Sequence, residues 1–314
     1  MSFSSSLKDE LCKVSVKKPH CIRAELCGML YSSAVISLGN GGVSVSVLSE
    51  HKMTIMRMLS LFRQAYNIDC ELLEVVRQPK KTRAYMVRIS NALHILVDLG
   101  LSISGEISYN KERFLALTQR PCCQGAYVRG SFLGSGFIAN PQQHYQSEFI
   151  LETESFACLL KDTLLNLQIN AKLAKRKSAF AVYIKEAQSV SDLLAQIGAH
   201  GAVLELENIR ILKSIQGNIN RQTNWDNANI EKTINAAQRQ LRSIRLIEKH
   251  EGLDVLPEPL RQTARLRLEN PEATLEQLAA LCPELSRSGI NHHLRKINRI
   301  ALEIQAKKGE NHDL

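Results

Sequence analysis

Hydrophobic residues recur in the same succession twice along the first two thirds of the chain. Arg23-Ala24-Glu25-Leu26-Cys27-Gly28-Met29-Leu30-Tyr31-Ser32-Ser33 and Gly125-Ala126-Tyr127-Val128-Arg129-Gly130-Ser131-Phe132-Leu133-Gly134-Ser135 both read as short apolar helices. Each carries small residues four apart, Ala24/Gly28 and Ala126/Gly130. Such residues share one helical face and let a second backbone come close. Val43–Leu48 then alternates with the period of a strand, as does Glu148–Glu152. The helical period returns over about Lys52–Tyr66 and about Ser155–Leu167. Paired runs follow. Cys70–Arg77 turns through Pro79-Lys80-Lys81 into Arg83–Ile89, and Ala171–Lys175 turns through Arg176-Lys177-Ser178 into Ala179–Lys185. Short helices near Ala92–Gly100 and Ser191–Gly198 close the two blocks. Gly28/Gly130, Ile68/Ile169 and Arg77/Arg176 lie about a hundred residues apart, so the pattern predicts a duplicated α-β-β-α-β-β-α unit.

After about Ser214 the strand signal stops. Asn218, Asn220, Gln222, Asn224, Asn227 and Asn229 crowd together around Trp225, the chain's one tryptophan, and read as a polar connector. Trp225 is free to dock onto the segment on either side. A long helix is expected over about Ala228–Glu248, with Ile230, Ile234, Ala237, Leu241, Ile244 and Ile247 on one stripe. Pro257 and Pro259 open the next helix, which stops at Asn270-Pro271. Thr274 and Gln277 have the spacing of a capping box, and Pro283 breaks the short helix they begin. Ser286 starts the last helix, about Arg287–Gln305, with Ile290, Leu294, Ile297, Ala301 and Ile304 on its apolar stripe.

The 314 residues suggest two domains, and 44% hydrophobic against 23% charged residues describes a chain able to bury a full core. Forty Lys+Arg against 31 Asp+Glu leave a net +9, which favours a polyanionic partner. No run approaches the roughly 18 apolar residues of a membrane span, and the first ten residues have no signal-peptide pattern. Eight cysteines are scattered without a C-x-x-C pair, so they read as reduced thiols, the vicinal Cys122-Cys123 included. A cytoplasmic protein without metal or other cofactor is expected.

Helix, tight turn, helix is a DNA-reading unit when its second helix is basic on the exposed side. Opposite the apolar stripe of the last helix stand Ser288, His292, Arg295, Lys296 and Arg299, with Asn291 on the flank and Ser286 and Arg287 at the start. Hydroxyl, amide, imidazole and cations suit groove edges and phosphates, and Glu303 is the one acid between Arg287 and Lys308. An ordinary solvated amphipathic helix would show the same periodicity. His292 and His293 project about 100° apart and have no third ligand at a useful spacing, so no metal is assigned to them. In the hairpins, Lys80, Lys81 and Arg83, and Lys175, Arg176 and Lys177, are additional candidate DNA contacts. They are equally consistent with cations that guard exposed turns and sheet edges.

Two glycine-bearing helices, each opening an α-β-β-α-β-β-α unit, resemble the LAGLIDADG homing-endonuclease fold. In that family the paired motif helices form the inter-repeat interface and end in acids that bind the catalytic metal. The resemblance puts Ser33 and Ser135 at those acidic positions. Hard divalent cations select anionic oxygen, so the sequence predicts the scaffold without phosphodiester cleavage. A generic α+β domain is the competing account. More specifically, four stretches resemble the WhiA family of bacterial sporulation and cell-division regulators. They are Ser2-Phe3-Ser4 through Lys8-Asp9-Glu10-Leu11, Arg129–Leu133, the connector Asn220-Arg221 to Gln240, and Leu285-Ser286-Arg287-Ser288-Gly289-Ile290-Asn291-His292-His293-Leu294-Arg295-Lys296-Ile297.

The resemblance implies an α+β chain. A duplicated LAGLIDADG-like domain spans residues 1–215, with repeats at about 20–110 and 122–200. A connector and long helix follow at 216–256, then an all-α helix-turn-helix domain, similar to the promoter-reading region of sigma factors, at 257–314. It further implies a non-catalytic, nucleoid-associated transcriptional regulator linked to cell division, chromosome segregation and, in some bacteria, sporulation. The expected partners are double-stranded DNA and, beyond it, other transcription regulators or RNA polymerase, with no membrane. His293 stands where the family commonly has Arg, and Arg287 where it often has Lys. A structural or partner-binding protein, whose first domain docks another protein, is the alternative.

Overall fold

The computed structural model describes residues 2–39, 42–70, 72–77, 81–102 and 108–309. Their order starts with α1 (Phe3–Lys13), α2 (Pro19–Ser33), β1 (Ala34–Gly39), β2 (Gly42–Ser49), α3 (Lys52–Tyr66), β3 (Leu72–Arg77), β4 (Thr82–Ile89) and α4 (Leu93–Asp98). A small insert, β5 (Leu101–Ser102), β6 (Ser108–Tyr109) and α5 (Lys111–Leu117), precedes the second copy. That copy runs α6 (Pro121–Ser135), β7 (Gly136–Ile138), β8 (Ser147–Leu151), α7 (Glu154–Asn166), β9 (Lys172–Arg176), β10 (Ala179–Ile184) and α8 (Ala187–Ile197). The chain ends with α9 (His200–His250), a 3-10 turn at Leu253–Val255, α10 (Glu258–Glu269), α11 (Leu275–Leu281) and α12 (Arg287–Gly309). It divides into two units, Met1–Lys213 and Ser214–Leu314. Among the described residues no helix is long and apolar enough to cross a membrane.

The duplication read from the sequence is present down to strand order. Each repeat makes a four-stranded antiparallel sheet, β1-β2-β4-β3 and β7-β8-β10-β9. Proline opens both motif helices, Pro19 in α2 and Pro121 in α6, where its missing N–H costs no hydrogen bond. The two helices pack through their glycines. A Cβ on Gly28 would lie 2.0 Å from the Tyr127 carbonyl oxygen, and one on Gly130 would lie 2.0 Å from that of Glu25. Only hydrogen fits there. The helices form the centre of one core that gathers Leu26, Met29, Tyr127, Phe132, Phe149 and Leu160, all fully buried.

A buried ion triad completes this interface. Glu25, fully buried on α2, accepts from Arg57 Nε at 2.8 Å and from Arg129 Nη2 at 2.7 Å. Arg57 also donates to the Cys12 and Val14 carbonyls, and Arg129 to the Ile197 carbonyl at 3.1 Å. One carboxylate thus ties α3, α6, the end of α1 and the end of α8 together.

Two expectations need correction. Residues 214–224, read as a polar connector, are helical within α9. The segment His200–His250 contains no proline, and asparagine costs a helix only about 0.7 kcal/mol per residue. Pairs one turn apart also occupy the amides, such as Gln216 Nε2 donating to Asn220 Oδ1 at 2.9 Å. Of the residues expected on one apolar stripe, Ile230 and Ile234 are exposed and do not join the core. The second core begins further along, with Ala237, Leu241, Ile244 and Ile247 buried. Ile244 and Ile247 pack with Leu256, Leu260, Leu278, Ile290, Leu294 and Ile297.

Candidate nucleic-acid interface

The second unit is a helix-turn-helix built on that core. Leu260 and Ala264 of α10, Leu278 of α11, and Ile290, Leu294, Ile297 and Ala301 of α12 are buried together. Thr274 accepts from the Gln277 amide at 3.2 Å while Gln277 Oε1 accepts from the Thr274 amide at 2.8 Å, so the capping box fixes where α11 starts. Ser286 does the same for α12, its Oγ accepting from the Gly289 amide at 3.2 Å. Ser243 of α9 donates to Asn298 Oδ1 at 2.6 Å and pins the middle of α12 from behind.

The candidate reading residues divide into two groups. Ser288, His292, Arg295, Lys296 and Arg299 are exposed on α12. Arg295, Lys296 and Arg299 pair with no acid among the described residues. Of the remaining three, Ser286 and Arg287 are already engaged. Ser286 is the cap and shares a 2.8 Å hydroxyl contact with Ser288. Arg287 pairs with Glu276 of α11 at 3.0 Å, and both side chains are largely exposed. Asn291 is half-buried and lines a cavity of about 360 Å³ with Lys232, Gln240, Arg267 and Arg287.

Two features of this unit were not legible in the sequence. Arg267 sits in a charged helix yet is buried to 2% exposure, its Nη1 donating to the Ala273 carbonyl at 2.6 Å. It braces the turn between α10 and α11, and burial lowers its pKa. Its Nε and the Gln240 Oε1 are buried without a partner, and both residues line the cavity beside Asn291. His293 faces inward, its Nδ1 2.8 Å from the hydroxyl of buried Thr263 on α10. Burial, followed by His292 and Lys296, lowers its pKa. An inward ring held by Thr263 is a contact between helices and not a phosphate contact.

The hairpins present their cations less coherently. Lys80 lies outside the described residues. Lys81 adopts φ 52° at the start of the β4 hairpin arm, and both it and Arg83 are exposed. Arg176 belongs to β9 rather than to the turn, because it pairs with Ala179, leaving Lys177-Ser178 as a two-residue loop. Its guanidinium is taken by Glu148 of β8. Lys175, its neighbour, points to the opposite face of the strand and lies over the Phe180 ring at 5.9 Å. The register places Val35, Leu48, Leu73 and Arg88 on one face of the first sheet, and Phe137, Ile150, Lys172 and Arg176 on one face of the second. Val35, Leu48, Leu73, Phe137 and Ile150 are exposed there.

At the ends of the motif helices stand two hydroxyls. Ser33 Oγ donates to the Met29 carbonyl at 2.7 Å, and Ser135 Oγ is buried without a partner.

A duplicated body joined through glycine-bearing helices, followed by a capped helix-turn-helix, defines a LAGLIDADG-like protein fused to a helix-turn-helix domain. Comparison with known families matches residues 19–102 to the WhiA N-terminal LAGLIDADG-like domain, 124–216 to the WhiA LAGLIDADG-like domain, and 219–301 to the WhiA C-terminal HTH domain. The chain belongs to the WhiA family. A relative from Clostridium botulinum (strain Eklund 17B / Type B), named "Probable cell division protein WhiA", is 38% identical over 313 residues, 97% of this chain and 99% of its own. One of the same name from Alkaliphilus metalliredigens (strain QYMF) is 36% identical over 313 residues, 96% of this chain and 98% of its own. The crystal structure of full-length DUF199/WhiA from Thermatoga maritima matches with a TM-score of 0.58 at 25% identity, covering 96% of this chain and 99% of that one.

Proposed function

We propose that the protein is a non-catalytic, sequence-specific binder of double-stranded DNA that regulates transcription. Its place would be the nucleoid, in cell division, in chromosome segregation and, in some bacteria, in sporulation. One observation carries the DNA reading: Arg295, Lys296 and Arg299 are exposed, and among the described residues pair with no acid, on one side of a helix whose other side is locked into the helix-turn-helix core. Arg295 is the base-reading candidate, since a guanidinium bonds guanine O6 and N7 together, for about 1–3 kcal/mol of discrimination. Arg299, a turn further along, is the phosphate contact. The names of the relatives support the cell-division role. The hydroxyls of Ser33 and Ser135, where a metal-dependent nuclease needs carboxylates, support the absence of cleavage.

A second reading gives the first unit a protein partner. The exposed Val35, Leu48, Leu73, Phe137 and Ile150 on its sheet faces favour it, because apolar side chains interleave there with the cations Arg88, Lys172 and Arg176, and Arg176 is already paired with Glu148. The test selects binding sites for the full chain from a random duplex library, then titrates salt on the selected and on random duplexes. Arg295→Ala should lower affinity for the selected site more than for random DNA. Arg299→Ala should weaken both alike and reduce the salt slope by about one unit. If both variants match the wild type on the selected site, α12 is not the reading element, and the hairpins at Lys81 and Lys177 are examined next.

A further inference from the structure

Away from the helix-turn-helix, four side chains that the sequence separates by about a hundred residues meet at one point. His20 and Cys21 follow Pro19 in the first turn of α2, and Cys122 and Cys123 follow Pro121 in the first turn of α6. The duplication makes these equivalent positions, and the close α2–α6 packing brings dipeptide to dipeptide. His20 Nδ1 lies 3.1 Å from Cys123 Sγ and 3.3 Å from Cys21 Sγ. All four ligand atoms fall within 4.8 Å of one another.

We propose that His20, Cys21, Cys122 and Cys123 form a structural zinc site that clamps the N-terminal ends of the two motif helices. One imidazole and three thiolates are a closed, four-ligand set for zinc. Tetrahedral zinc, with Zn–S about 2.3 Å and Zn–N about 2.0–2.1 Å, spaces its ligand atoms about 3.6–3.8 Å apart. The cluster already has that size, and its widest pair closes by about 1 Å. On binding, the three thiols release their protons to solvent, leaving a centre of net charge −1. The surroundings suit an anion: the residues that precede the two prolines are Lys18 and Arg120, and two positive helix ends converge there. A surface cavity of about 660 Å³, lined by Lys18, Cys21, Pro121 and Cys122 among others, gives the ion a way in. Two repeats that already share a glycine seam would gain a cross-link at its open end.

The test uses the full chain purified under reducing conditions, with metal content measured by mass spectrometry and cobalt(II) titrated into the metal-stripped protein. The expected result is about one zinc per chain. Cobalt should give thiolate charge-transfer absorption and intense tetrahedral d–d bands, saturating at equimolar metal and displaced by zinc. Cys122→Ser changes an exposed residue, so folding should survive. It should weaken zinc at least about tenfold, since losing outer-shell partners alone costs about 10–100-fold. Cys158→Ser, outside the cluster, should bind as the wild type does. A chelator should lower the Tm of the wild type and leave that of Cys122→Ser unmoved. Reduced wild-type protein that gives no cobalt charge-transfer band overturns the proposal, whatever the variants do. So does a Cys122→Ser protein with wild-type affinity. A disulfide joining Cys21 to Cys122 or Cys123 without reductant, and no metal with it, would make the cluster a redox pair instead.

Discussion

Alanine at Gly130 is expected to destabilise the first unit, although alanine is the better helix former. In an unconstrained helix the change would gain about 1 kcal/mol. At Gly130 the new methyl would sit 2.0 Å from the Glu25 carbonyl oxygen, 2.9 Å from the Glu25 carbonyl carbon and 3.0 Å from the Met29 amide nitrogen. All three are backbone atoms of α2, so no rotamer change relieves them. Reaching an ordinary 3.4 Å contact asks the two helices to part by about 1.4 Å. Parting them pulls on the Glu25–Arg129 pair, whose 2.7 Å bond bridges the same seam. Overpacking costs about 1–3 kcal/mol where side chains can yield, and backbone against backbone belongs at or above the upper end. After subtracting the propensity gain, a net loss of about 2 kcal/mol or more remains. For a unit of this size that lowers Tm by about 4–8 °C. Gly217→Ala is the control. Its methyl would meet only the end of the Arg221 side chain, 3.7 Å away on the same helix. It should raise stability by up to about 1 kcal/mol. The assay is thermal and urea unfolding of the full chain, followed by circular dichroism. A Gly130→Ala protein as stable as the wild type would show that α2 and α6 do not pack backbone to backbone.

Three further outcomes follow from the same geometry. Glu25→Gln leaves the Arg57 and Arg129 guanidiniums without their shared carboxylate and should cost about 3–5 kcal/mol in urea unfolding, whereas a loss under about 1 kcal/mol would mean the triad is relaxed or hydrated. The pKa of His293 is lowered in the folded chain, so its stabilising contribution is complete above the unfolded value of about 6.5 and is lost as pH falls through the lower, folded value. The stability of the second unit should therefore fall as the pH drops below the unfolded value of about 6.5, and His293→Asn should flatten that dependence; an unchanged slope would place the titration elsewhere. Purified protein with Mg²⁺ or Mn²⁺ should leave plasmid and linear duplex DNA intact; metal-dependent cleavage that disappears on mutating the protein's own acids would refute the non-catalytic reading.

Local chemistry made much of this protein readable in one dimension. Small residues four apart, strand alternation and proline at N1 depend on neighbours in sequence. The repeat, its strand succession, the capping box at Thr274 and the apolar stripe of α12 therefore follow from sequence periods. The two serines at the ends of the motif helices were legible from the resemblance to the LAGLIDADG motif, which places them by counting from Gly28 and Gly130. Periodicity also found the exposed face of α12. It could not separate Arg295, Lys296 and Arg299, which pair with no acid among the described residues, from Arg287, which Glu276 holds from another helix.

What tertiary structure decided are the contacts between residues far apart in the chain. Glu25 looks like one more polar residue in an apolar helix until Arg57 and Arg129 arrive from two other elements. Arg267 and His293 look solvated until the helix-turn-helix closes over them. The connector was misread because asparagine is a turn residue by composition, while its helical cost is small when the chain on both sides is helical. His20-Cys21 and Cys122-Cys123 each have the spacing of no metal motif. Only the glycine seam of α2 against α6, which allows two backbones within contact distance, folds the two dipeptides into one set of ligands.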